Sequence, residues 1–140
     1  MEKMTSKESL DRVNELKKAM DECWDYQQRQ RIEKEWMEAI KQIVPEVGMG
    51  CTVVYYSDYR AATVIEVNGR RNRVGVKFNK TKCLDYYAGD YEILPEMEER
   101  MAVRYFTKRK NGEWVYEGHT VKDGVKLALH YQHHYIDPTF

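Results

Sequence analysis

Four residues near the end of the chain have side chains that can bind a metal ion. They are His130, His133, His134 and Asp137, and imidazole together with carboxylate is the donor set of many Zn²⁺ and Ni²⁺ sites. In an extended segment His130 and His134 share a face, whereas a pair of ligands three or four residues apart needs a helix. The pattern allows a metal-dependent enzyme, but a histidine cluster of this kind more often lies on the surface without a metal.

A second set of residues has the chemistry of phosphate and base recognition. Basic side chains alternate with tyrosines between residues 56 and 87, and such a mixture supplies phosphate contacts together with stacking surfaces. It favours a nucleotide-type ligand or a nucleic acid, although basic residues also collect at hairpin turns to keep edge strands solvated. The candidate ligand-binding residues are Tyr56, Asp58, Tyr59, Arg60, Arg70, Arg71, Arg73, Lys77, Lys80, Lys82, Tyr86 and Tyr87. A further basic run comprises Lys108, Arg109 and Lys110.

The three cysteines predict neither a disulfide framework nor a zinc ribbon, and we expect no cofactor. Cys23, Cys51 and Cys83 have no CxxC spacing, and an odd set of cysteines is typical of a reducing compartment. Cys51 begins an apolar run and Cys83 follows a lysine, but neither lies in a motif that activates a nucleophile. We therefore expect buried or inert thiols.

The charge balance excludes a protein that is drawn as a whole to nucleic acid or to an anionic membrane. Lysine plus arginine and aspartate plus glutamate each number 23, so the formal net charge is zero and any charged site must be a local patch. There is no signal peptide and no apolar run close to the roughly 20 residues that span a bilayer. These features predict a soluble protein in the cytoplasm.

The elements that must position these residues change in character near residue 45. Residues 5–44 lack glycine and proline and are rich in helix formers, and the spacing of Thr5 and Glu8 is that of a capping box. The segment predicts one long helix, or two helices that fold together through the polar residues 27–30. Its narrow apolar stripe also favours a homo-oligomer that pairs through residues 5–44 as a coiled coil. The alternative is a helix that lies along its own β domain. We assign residues 1–45 to this helical extension.

The rest of the chain, residues 48–140, reads as an antiparallel β domain. Three Asx-Gly pairs separate runs of β-branched and aromatic residues, and we expect each pair to form a type I′ hairpin turn. The final aromatic residues, Tyr131, Tyr135 and Phe140, predict a chain end that docks onto the sheet or onto a second subunit. The three pairs are Asn68-Gly69, Asn111-Gly112 and Asp123-Gly124.

Residues 48–95 resemble SH3-like barrels of the Tudor and KOW type. The resemblance lies in short strands at 51–56, 61–67, 72–78 and 90–94, with a tight turn after the second. The fold class that follows is α+β: an N-terminal long helix or helical hairpin, then a small antiparallel SH3-like barrel extended by further hairpins. Tudor-type barrels hold a methylated cation in an aromatic cage. The residues that could form one are Tyr55, Tyr56, Tyr59, Phe78, Tyr86 and Tyr87.

Three blocks of sequence resemble a family of small, mostly uncharacterised proteins of phages and prophages. The blocks are SDYRAATVIEV at 57–67, FTKRKNGEWV at 106–115 and YIDPTF at 135–140. The resemblance implies an accessory protein in the cytoplasm of the host cell. Its implied function is non-enzymatic: it would counteract a host defence system by binding an effector protein or by sequestering a nucleotide signal. A nucleic-acid-binding SH3-like module and a metal-binding enzyme are the alternatives.

Overall fold

The structure, a computed structural model, describes residues 6–137. The chain divides into two units, Met1–Val44 and Pro45–Phe140. Thr5, the predicted capping residue, and Phe140 lie outside the described residues. Within residues 6–137, neither helix is both long enough and apolar enough to cross a membrane.

The first unit is a helical hairpin. Helix α1 (Ser6–Glu22) and helix α2 (Tyr26–Lys41) pack against each other, and Val13 and Ala39 are among the buried residues of the apolar stripe. The hairpin, one of the two expected arrangements, is thus the one the chain adopts. Pairing of two copies through residues 5–44 stays a prediction.

The break between the helices lies at residues 23–25, so its predicted position at 27–30 is wrong. The reason is capping: the carboxylate of Asp25 accepts a hydrogen bond from the backbone N–H of Gln27 at 3.0 Å. An aspartate that satisfies a first-turn N–H starts a new helix. The glutamines at 27–30 are good helix formers and simply continue it.

The second unit is a closed, six-stranded antiparallel barrel with one additional strand, which confirms the α+β class. The barrel order is β1-β2-β3-β5-β6-β7, and β7 pairs with β1 to close it. The remaining strand, β4, pairs with β3 at the edge of the sheet. The strands are β1 (Gly50–Val54), β2 (Tyr59–Asn68), β3 (Arg73–Asp85), β4 (Asp90–Met97), β5 (Arg104–Lys108), β6 (Trp114–Tyr116) and β7 (Lys126–Ala128).

The barrel takes its strands from a longer segment than residues 48–95. Strand β3 has 13 residues; its first half pairs with β2 and β5, and its second half, from Asn79, pairs with β4 outside the barrel. We call the hairpin of residues 79–97 the arm. Strand 90–94, expected in the barrel wall, therefore belongs to the arm, and β5 to β7 complete the wall.

The core consists of the inward-facing residues of the barrel strands. Phe106, Val53, Val64 and Val76 are each 0% exposed, and the pairing of Val64 with Val76 and of Val76 with Arg104 puts these positions on one face of the sheet. The Phe106 ring packs edge-to-face against Tyr116 with centroids 5.5 Å apart. This core fixes which side chains of each strand point inward.

The Asx-Gly pairs do lie between strands, but the type I′ turns expected at them are wrong. Asn68 has φ −118° and accepts a hydrogen bond from the N–H of Arg71, capping a 3₁₀ turn at Gly69–Arg71. Positive φ falls instead on Asn72, at 47°, and on Gly112, at 89°. The loops are longer than two residues, so a single residue with positive φ is enough to reverse the chain.

Asn72 is the one non-glycine residue with positive φ in the described part of the chain. We expect Asn72→Ala to lower the free energy of unfolding by about 1 kcal/mol, because a Cβ without a local hydrogen-bonding group is disfavoured in the left-handed region. Asn72→Gly should change it by less than about 0.5 kcal/mol, since glycine adopts this conformation freely. Urea unfolding of both variants measures the difference, and equal losses would contradict this account.

The C-terminal segment 130–137, which we call the strap, docks on the outside of the barrel. Thr52 donates its hydroxyl to the carbonyl of Tyr131 at 2.9 Å, and Tyr59 and Tyr135 exchange two backbone hydrogen bonds of 2.8 and 2.7 Å. A Cβ on Gly89 at the arm tip would lie 2.2 Å from the Tyr135 ring. The expected docking of Tyr135 onto the sheet is therefore confirmed.

Candidate functional site

Two arginines point into the same end of the barrel. Arg60 pairs across strands with Val53, and Arg104 pairs with Val76. Cross-strand partners lie on the same face of a sheet, and both valines are fully buried, so both arginines lie on the inner face. Arg60 is the second residue of β2 and Arg104 is the first residue of β5, so both lie where these strands begin. We call this end the mouth.

The ring of Phe78 forms the floor of the mouth. Phe78 is only 4% exposed, and it closes the core beneath the two arginines. The guanidinium carbon of Arg60 lies 5.5 Å from the ring centroid, and that of Arg104 lies 5.0 Å from it. Attraction between each cation and the ring holds both side chains over the floor. Two positive charges therefore share one aromatic surface.

Arg104 has a buried donor with no acceptor. Its Nε is inaccessible to solvent and has no hydrogen-bond partner among the described residues. Nearly all buried polar groups in proteins are hydrogen-bonded, so such an orphan needs a physical explanation. An oxyanion in the mouth would supply an acceptor once the Arg104 side chain rotates its Nε out toward the cavity, since carboxylates and phosphates bind guanidinium groups through two parallel hydrogen bonds.

The lining of the mouth contains both polar and apolar side chains. Asp58, in the loop between β1 and β2, accepts a hydrogen bond from the backbone N–H of Asp137 at 2.8 Å, which ties its carboxylate to the strap. The ion pairs found within residues 6–137 include neither Arg60 nor Arg104. The cavity measures about 240 Å³ and is lined by Tyr55, Asp58, Arg60, Phe78, Met101 and Arg104.

The charge of Arg60 in the mouth affects the pKa of His134 in the strap. Burial first, and then the charges of Arg60 and His133, lower the pKa of His134, while Asp58 opposes them. The neutral ring accepts the N–H of Ala61 on Nδ1 at 3.4 Å and packs edge-to-face on Tyr91 at 4.8 Å. His134 thus serves to pack the strap against the barrel.

The histidines do not assemble into a metal centre. Burial lowers the pKa of His130, whose ring packs on Tyr131 at 4.6 Å, while the ring of His133 lies 5.9 Å from that of Tyr59. Asp137 lies at the rim through its backbone contact with Asp58. No group of three or more histidine, cysteine, aspartate or glutamate side chains in the described residues is arranged to hold a metal ion.

Of the twelve candidate ligand-binding residues, two, Asp58 and Arg60, line the mouth. Lys80 and Lys82 lie on the arm, and Lys77 pairs with Thr63 in the barrel wall. Arg70 and Arg71 lie in the turn at the other end of β2. Arg73 forms an ion pair with Glu117 at 2.6 Å, and Tyr59 pairs with the strap.

The aromatic residues that could form a cage do not come together in the described part of the chain. Tyr86 and Tyr87 pack on each other at the arm tip, and Tyr56 is 98% exposed. Tyr55 and Phe78 do both line the mouth, but Arg60 and Arg104 already lie over the Phe78 ring. A methylated cation would meet two like charges there, so the mouth favours anions.

Arg104 and Met101 were missed as candidate site residues. The signal for Arg104 was present, because it lies two residues before Phe106, a core residue, and alternation puts the two on the same face. Cys51, by contrast, behaves as expected: it is fully buried, and burial raises its pKa to about 12, so its thiol is inert.

Comparisons of the chain with protein-family models, with curated proteins and with solved structures find no match. Its function must therefore be argued from the geometry of the mouth.

Proposed function

We propose that this chain is a non-enzymatic binding protein that holds a phosphate-bearing, nucleotide-type ligand in the mouth of its barrel. The observation that carries the proposal is the pair of arginines over Phe78, one of which keeps a buried Nε without an acceptor. A buried, unpaired donor costs about 1–3 kcal/mol, and an anionic ligand would recover that cost on binding.

The shape of the mouth supports a phosphate at the floor and the rest of the ligand at the rim. A cavity of about 240 Å³ is smaller than most sites for drug-sized molecules, so a nucleotide would leave its base outside or against the rim. Met101 and Tyr55 provide the apolar part of that rim. The ligand would thus be anchored by its phosphate.

The residues of the mouth support binding rather than catalysis. Among residues 6–137, those that line the mouth include no cysteine, histidine, serine or lysine, and the carboxylate among them, that of Asp58, accepts a hydrogen bond from the strap. Arginines can hold and orient an anion, but they are poor proton-transfer groups at neutral pH because they stay protonated.

The resemblance to phage and prophage proteins supplies the biological setting of the proposal. In that setting, a protein that binds a nucleotide without altering it would lower the concentration of a signal used by a host defence system. Sequestration is the form of anti-defence activity that a small anion site fits best. Binding of a host effector protein is the alternative form.

A ligand panel tests the proposal. Inorganic phosphate, AMP, cyclic AMP and a cyclic dinucleotide are titrated into the purified protein in a calorimeter, alongside Arg104→Ala and the control Lys80→Ala on the exposed arm. We expect at least one phosphate compound to bind wild type and Lys80→Ala alike, with its nucleotide unchanged afterwards, and to bind Arg104→Ala poorly. Absence of binding across the panel, equal binding to Arg104→Ala, or turnover of the nucleotide would overturn the proposal.

A further inference from the structure

A second charged surface lies at the end of the barrel opposite the mouth. Strands β2 and β5 both begin at the mouth and end at the far side, where each enters a turn. The backbone N–H of Lys108 donates to the carbonyl of Asn72 at 2.9 Å, so the two turns are neighbours in space. We call this surface the basic end. Its basic residues are Arg70, Arg71, Arg73, Lys108, Arg109 and Lys110.

Two of these arginines are held in place by the barrel. The Nε of Arg73 donates to Glu117 at 2.6 Å, and the guanidinium carbon lies 3.7 Å from the Tyr105 ring centroid. Arg109 donates from Nε to the Thr107 hydroxyl at 2.9 Å. They form a rigid base for the outer basic residues, because hydrogen bonds and stacking restrict their side chains.

Three acidic residues near this end are held by neighbouring side chains, and one of those neighbours is Arg73 of the basic end itself. Glu117 pairs with Arg73, and Glu113 pairs with Lys126 at 2.7 Å. Glu66 is hydrogen-bonded to Tyr105, and that bond is the main reason why the pKa of Tyr105 is raised. The side chains of Arg70, Arg71 and Lys110 are exposed, so the outer surface of the basic end is positively charged.

A cleft runs beside these exposed cations. It measures about 550 Å³, and two cations and one carboxylate are among the groups that line it. These are Arg70, Arg73 and Glu66, and the Tyr105 ring lies beside them. A guanidinium stacked on a tyrosine ring offers a flat, cationic surface of the kind on which bases stack. An acidic protein partner would be attracted by the positive charges alone and would make no use of the flat Arg73–Tyr105 stack. The presence of the stack therefore favours nucleic acid over a protein partner.

We infer that the basic end binds single-stranded nucleic acid, with Arg70, Arg71 and Lys110 contacting phosphates and the Arg73–Tyr105 stack supporting a base. The inference goes beyond the proposed function because the basic end shares no residue with the mouth. It explains how a chain with zero net charge can still present a local polyanion site.

Fluorescence anisotropy with labelled single-stranded DNA and RNA of about 20 nucleotides tests the inference, at about 50 and 200 mM salt. We expect binding that weakens with salt, and at least a tenfold loss in Arg70→Ala/Arg71→Ala/Lys110→Ala. The slope of log affinity against log salt should also fall by about 2, since each lost phosphate contact on a single strand removes about 0.7.

A control variant and a competitor make the result decisive. Lys80→Ala/Lys82→Ala removes two exposed cations from the arm and should bind nucleic acid as wild type does. Equal binding by the triple variant, or absence of binding at low salt, would overturn the inference. So would equally strong binding of poly-glutamate in competition, because the basic end would then be a non-specific polyanion or acidic-protein surface.

Discussion

Gly124→Ala is expected to lower the free energy of unfolding by about 3 kcal/mol, at the upper end of the usual cost of overpacking. A Cβ at this position would lie 2.4 Å from the carbonyl oxygen of Thr120, and 2.7 Å from both His119 Cβ and Val115 Cγ1. Val115 is fully buried in the barrel, and Thr120 contributes backbone, so neither can move aside cheaply. Urea unfolding monitored by tryptophan fluorescence measures the loss.

Gly69→Ala is the matched control. Gly69 also lies in a connection between strands, but a Cβ there has no atom within 4 Å. Its substitution should change stability by less than about 0.5 kcal/mol, as is usual for an open surface position. If both variants unfold alike, the loop between β6 and β7 does not pack against the barrel as described.

Arg60→Ala/Arg104→Ala should weaken binding of the phosphate ligand by at least about 100-fold. A hydrogen bond to a charged group contributes about 1.5–3 kcal/mol, and each 1.4 kcal/mol is a factor of ten in affinity. The two arginines act on the same volume above Phe78, so their contributions add at one anion. Calorimetry of the double variant, with Lys77→Ala in the barrel wall as the control, measures the loss.

Arg104→Met should not destabilise the ligand-free protein, although it should abolish binding of the ligand. Removing the buried Nε removes an unpaired donor, and methionine keeps an apolar chain of similar length over Phe78. We expect stability to stay the same or to rise by about 1 kcal/mol while binding is lost. A clear loss of stability in urea would mean that Arg104 is a structural residue rather than a binding residue.

The sequence predicts where the helices and strands lie better than it predicts which strands close the barrel. Absence of glycine and proline before residue 45 predicts helices, and the Asx-Gly pairs locate the connections in the barrel, because both signals are local. Strand 90–94 also forms where expected, but its place in the arm depends on how far β3 runs past the barrel. That register is set by contacts between distant strands, which local patterns do not encode.

The candidate site was predicted in part for the same reason. Arg60 follows the loop at which β2 starts, and its basic character marked it from the sequence. Arg104 lies 44 positions later and joins the same site only because Val76 of β3 pairs with it. The histidine cluster suggested a metal, but its side chains pack on separate aromatic rings along the strap. Composition identifies donors, whereas the pairing of strands decides which donors meet.

An arginine-detected NMR titration tests the anion site most directly, because it observes the Nε–H groups themselves. Uniformly ¹⁵N-labelled protein is titrated with inorganic phosphate and then with AMP, and resonances are assigned from Arg60→Lys and Arg104→Lys spectra. We expect the Nε–H signals of Arg60 and Arg104 to shift together and to saturate. The signal of Arg73, already bonded to Glu117, should stay in place. Shifts of equal size at all arginines, or none at Arg60 and Arg104, would contradict an anion site at the mouth.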